Sequence, residues 1–158
     1  MVLLMAALLG ACGEDNGVDY CKNHYAYHSD HLASLGNLTI ELSDAGDLDG
    51  NLSLPDVVLH GMADDDVSRI FAGAENTFTL QTEATCEVGV QRFARTAEGL
   101  EATFEANCGP DQKIGQISVA LFDHLEALEE LVVAVTTPAT SKRFGISRQC
   151  DGPIFRLE

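Results

Sequence analysis

The chain has no tryptophan, four prolines and no Pro-, Gly- or Ser-rich stretch long enough to separate domains, so positions 20–158 read as a single domain. Basic residues are scarce: 9 Lys and Arg stand against 25 Asp and Glu, a formal net charge of −16. A surface this acidic repels nucleic acid and anionic lipid headgroups, which argues against polyanion binding. It keeps a domain soluble, and it leaves divalent cation binding open. The charge-free apolar stretch Val2–Ala11 falls short of the roughly 20 residues that a membrane-spanning helix needs. Enzyme signatures are missing too: there is no GxSxG elbow, no HExxH and no glycine-rich phosphate loop. Ser29, Asp30 and His31 are sequence neighbours that would point in different directions on a helix, so they form no triad.

What is there begins at the amino terminus. Val2–Ala11 has the length and apolarity of a secretory signal, and it ends in Leu9-Gly10-Ala11-Cys12. This resembles the lipobox of bacterial lipoproteins. The resemblance covers about a dozen residues. It implies cleavage before Cys12, a diacylglycerol on the Cys12 thiol and an acyl chain on its amine. Nothing basic precedes Cys12, although such signals usually open on Lys or Arg. Gly13 and Glu14 follow, with no aspartate next to the cysteine, a pattern that in enterobacterial lipoproteins goes with the outer membrane. The expected organisation is a signal peptide over 1–11, a tether over 12–19 and one β-rich domain over 20–158. Its place would be the bacterial cell envelope, lipid-anchored, with the body facing the periplasm or the exterior.

With Cys12 acylated, Cys21, Cys86, Cys108 and Cys150 remain, an even number in an exported domain, which predicts two disulfides. The stretch from Cys86 to Cys108 has a turn signal at Thr96-Ala97-Glu98-Gly99. Folding it about residue 97 sets Cys86 opposite Cys108, Val88 opposite Ala106 and Val90 opposite Phe104, all on one face. Cys21 would then bond Cys150 and tie the ends together. The competing arrangement pairs Cys21 with Cys86 and Cys108 with Cys150. It follows from an internal similarity: LGNLTIEL (35–42) matches IGQISVAL (114–121), and each is followed by an apolar strand ending in proline and then by a cysteine.

Leu38, Ile40 and Leu42 alternate with Thr39 and Glu41, and Ile117, Val119 and Leu121 repeat the pattern, as half-buried strands do. Seven or eight such strands with short turns predict a mainly β fold, an antiparallel β-sandwich or open barrel, with an internal duplication and one N-terminal helix. Helical turns are also expected at Asp64–Asp66 leading into Val67–Ala72, and at Asp123–Glu126 with Asp123 as cap.

The predicted N-terminal helix, Tyr20–Leu35, contains YCKNHYAYHSDH. At about 100° per residue, Cys21, His24, Tyr25, His28, Leu32 and Leu35 share one face, with His31 at its edge. That face is first of all a packing face. It also offers a metal reading: His24 and His28 lie four positions apart and His31 one turn on, a set suited to Zn or Cu. A second stretch, Asp44–Asp56, resembles a calcium loop of the EF-hand or dockerin kind through Asp47, Asp49, Gly50 and Asp56. However, Ala45 stands at its first position and Pro55 interrupts the exit helix, so the stretch reads as an acidic hairpin loop with Gly50 at positive φ. No cofactor is required, and this pattern argues against Ca.

Lys142, Arg143, Arg148 and Arg156 form a basic run, expected to make internal ion pairs or an anion patch. The expectation for function is a membrane-anchored envelope lipoprotein serving as a binding or structural module, with an envelope protein or a small ligand as partner. The alternatives are a metal-binding lipoprotein using His24, His28 and His31, and a hydrolase with two carboxylates about 5–10 Å apart in a cleft.

Overall fold

Nine strands carry the fold in a computed structural model that describes residues 35–83, 86–148 and 154–156. They are β1 (Leu35–Leu42), β2 (Asp47–Pro55), β3 (Phe78–Thr82), β4 (Gly89–Arg95), β5 (Gly99–Asn107), β6 (Ile114–Val119), β7 (Glu130–Thr136), β8 (Ser141–Ser147) and β9 (Ile154–Arg156). Two short helices, α1 (Asp64–Ile70) and α2 (Leu121–His124), lie in connections. One sheet has six strands in the order β4-β5-β2-β1-β7-β8, and the other has three in the order β3-β6-β9. Neither sheet closes into a barrel. All pairings are antiparallel except β1 with β7.

The alternation read from the sequence sets the inner face. Leu38, Ile40 and Leu42 of β1 are buried, as are Leu48, Leu52 and Leu54 of β2 and Leu100, Ala102 and Phe104 of β5. Facing residues align in register, Leu38 with Leu52 and Leu52 with Ala102. Phe78, Ile114, Ile117 and Val119 of the smaller sheet join the same core, and Phe78 meets Phe104 edge to face with ring centroids 5.2 Å apart. Each fully buried Leu, Ile or Phe contributes about 1.5–3 kcal/mol, so this shared core is the main support of the fold. β7 is buried on both faces, through Leu131, Val133 and Val135 on one and Val132 on the other. Its unbroken LVVAV run therefore fits a strand with a parallel neighbour.

Arg95 fastens the connection that follows β2. Its guanidinium donates to the carbonyls of Met62 (3.0 Å) and Leu59 (3.2 Å) and to Asp64 Oδ1 (3.2 Å). α1 begins where three aspartates precede the apolar Val67, as expected. Arg148 fastens α2. Its guanidinium donates to the carbonyls of Phe122 (2.9 Å), Leu128 (3.1 Å) and Leu125, and lies over the Phe122 ring. The expectation of an internal ion pair for Arg148 is thus corrected: it holds backbone carbonyls left open at the end of a short helix.

Other expectations also need correction. Leu35 opens β1 and so does not end a helix. α2 is capped at Ala120, with Asp123 inside it. The duplication has no counterpart in the pairing: β1 bonds β2 directly, whereas β6 and β7 lie in different sheets.

Candidate binding site

The chain leaves β1 through a tight turn. Ser43 Oγ accepts from the Asp47 amide at 3.1 Å, the Gly46 amide donates to the Ser43 carbonyl at 3.0 Å, and Gly46 takes φ +86°. The left-handed conformation at Gly46, which a β-carbon would oppose, makes this turn possible. The next connection at the same end follows β5. Asn107 pairs with Asp47 in register and donates to its Oδ1 at 2.7 Å, and the Cys108 amide donates to the Gly46 carbonyl at 2.7 Å. The third is the β7–β8 turn. There the Thr137 amide donates to the Thr140 carbonyl at 2.7 Å, and Thr137 Oγ1 accepts from the Thr140 amide at 3.1 Å.

These three connections enclose a cup of about 350 Å³, lined by Ser43 and Asp44, by Asp111–Ile114, and by Thr137–Thr140. That volume is within the range of small-molecule sites, which run from about 300 to 1,000 Å³. Ile114 is buried beneath the cup, and Pro138 and Ala139 add apolar wall. Asp111 holds φ +58°, a conformation that aspartate tolerates better than most residues. The side chains of Asp44, Asp111 and Lys113 have no hydrogen-bonded or ionic partner among the described residues, whereas the hydroxyls of Ser43 and Thr137 are already used by their turns. The cup therefore offers two uncommitted carboxylates and one uncommitted ammonium above an apolar floor.

Cys86 and Cys108 form a disulfide, with their Cα atoms 4.6 Å apart. Val90 faces Phe104 as expected, but beyond a bulge between Val90 and Arg92 the register moves by one, so that Arg95 faces Leu100. The bond fixes Cys108 at the root of the connection that supplies Asp111 and Lys113. The rival Cys21–Cys86 and Cys108–Cys150 pairing is excluded, because Cys86 and Cys108 bond each other. Cys12, Cys21, His24, His28, His31 and Cys150 lie outside the described residues, and so do the metal site and the second disulfide expected there.

The calcium-like stretch is mostly strand. Asp47–Pro55 is β2, with Asp47 bonded to Asn107, and the positive φ expected at Gly50 belongs to Gly46. Gly50 faces inward, where a β-carbon would stand 3.1 Å from Phe104 Cβ; its lack of a side chain makes room for that ring. Asp49 faces Glu41 on one side and Glu105 on the other, an acidic row on the exposed side of the sheet. Among the described residues, no group of three or more His, Cys, Asp or Glu side chains could hold a metal ion. Also among them, no helix is long and apolar enough to cross a membrane.

Sequence reasoning singled out only Asp44 and Asp47 near these turns and missed Asp111, Lys113, Thr137 and Thr140. Their one signal was position: polar residues between apolar strands, beside Gly109-Pro110 and Pro138. No known protein-family model matches the chain, and no curated protein matches it.

Proposed function

We propose that this is a lipid-anchored envelope lipoprotein whose β-rich domain binds a small ligand in the cup between its Ser43–Asp44, Asp111–Ile114 and Thr137–Thr140 connections. One geometric relationship carries this reading. β1 opens at Leu35 and runs to Leu42, immediately before Ser43 of the cup. Eight residues of strand lead from that opening to the cup, roughly 23 Å at about 3.3 Å per step. The turns that follow β1, β5 and β7 thus meet at one end of the large sheet, with Asp44, Asp111 and Lys113 uncommitted among the described residues around one cavity. Binding residues on connections held by a rigid β scaffold are the common arrangement.

The anchor and the cup are tested separately. Cys12→Ser should leave the precursor uncleaved and without acyl chains; a Cys12→Ser protein that is still cleaved and acylated refutes the anchor. For the cup, a library of small fragments is screened against the amide spectrum of the full chain carrying Cys12→Ser. Shifts confined to residues 43, 44, 111–114, 137, 139 and 140 are expected, and a library that never moves those amides refutes the site.

A further inference from the structure

We infer that the cup selects a small organic cation, a primary amine on an apolar body, an inference that rests on the cup being the binding site. Its lining carries Asp44 and Asp111 against Lys113 alone, and none of the three is held by another described side chain. The whole chain adds to this local excess, with 25 acidic against 9 basic residues. A cavity within such a field concentrates cations. A hydrated inorganic cation fits the lining poorly. A hard divalent ion takes six to eight oxygen ligands, whereas no group of three or more His, Cys, Asp or Glu among the described residues could hold a metal ion. The buried Ile114 and the Pro138–Ala139 wall instead provide apolar surface, which an ion gains nothing by covering and an alkyl or aromatic body does. Lys113 would meet an acceptor on the same ligand, so a hydroxyl, carbonyl or carboxylate beside the amine would add affinity.

The test uses three probes of nearly one shape: 2-phenylethylamine, 2-phenylethanol and 3-phenylpropionate. Each is titrated into the full chain carrying Cys12→Ser, with the amides of residues 43, 44, 111–114, 137, 139 and 140 as readout. The amine should bind more tightly than the alcohol by about two- to thirty-fold, the range expected for two exposed ion pairs. That advantage should disappear in the Asp44→Asn/Asp111→Asn variant and shrink as salt is raised to about 0.5 M. Should the alcohol or the carboxylate move the same amides as strongly as the amine, the preference for a cation is overturned while the cup stands as a site. Retention of the amine's advantage in the double variant overturns the role of the two carboxylates. If no probe moves the cup amides in a variant whose spectrum is otherwise native, both the cation preference and the binding reading fall.

Discussion

Gly46 and Gly109 lie backbone against backbone: a β-carbon on Gly46 would overlap the carbonyl oxygen of Gly109. The contact joins the β1–β2 turn to the root of the β5–β6 connection, and both line the cup. Gly46→Ala must bear the left-handed conformation, about 1–2 kcal/mol, and in addition push two backbones apart. Gly61 is the control. It has a similar φ of +82°, with nothing within 4 Å of the position a β-carbon would take. Gly61→Ala should lose only the conformational part in urea denaturation, and Gly46→Ala distinctly more. Equal losses would show that the Gly46–Gly109 contact adds nothing.

The Cys86–Cys108 bond closes a loop with a sequence separation of 22. Constraint of the unfolded chain predicts that Cys86→Ser/Cys108→Ser costs about 3 kcal/mol. Non-reducing peptide mapping of the unmodified protein should recover the Cys86 and Cys108 peptides joined. A Cys21 peptide attached to either would contradict the structure.

Arg148 should be worth more to α2 than its place near the end of β8 suggests. Removing the guanidinium leaves the carbonyls of Phe122, Leu125 and Leu128 without their shared donor. Arg148→Met keeps much of the apolar stem and should cost about 1–3 kcal/mol. Hydrogen exchange should speed up across residues 121–130 and stay unchanged in β1 and β2. Uniform acceleration would mean that the arginine supports the whole fold and not this connection.

Gly50 and Phe104 form a complementary pair on adjacent strands. Gly50→Ala should destabilise by about 1–3 kcal/mol through overpacking. In Phe104→Leu the space beside residue 50 is larger, so adding Gly50→Ala there should cost less than in the native background. Additive losses in a double-mutant cycle would rule out the proposed fit.

How much of this was legible beforehand follows from the range of each signal. Alternation is local, with period two, so the buried face of β1 could be read from Leu38, Ile40 and Leu42 alone. The Cys86–Cys108 pair was legible for the same reason: one hairpin with a central turn signal brings the two together. The Asp64–Asp66 start of α1 needed only three acids ahead of an apolar residue. The duplicated pattern misled because two strands of like sequence can pair with unlike neighbours, and β6 went to the smaller sheet. Gly50 misled because a glycine can supply either a turn or an empty space; only Phe104, far along the chain, showed which was needed.

By itself, then, the sequence determined the β class, the inner faces of the strands, one disulfide and the acidic surface, since each depends on neighbouring residues or on composition. Tertiary structure alone decided that the Ser43, Asp111 and Thr137 connections meet in one cup. Their meeting follows from the antiparallel register of β2 with β5 and the parallel register of β1 with β7. Those registers join strands distant in sequence through the burial of a common core, which no local pattern encodes.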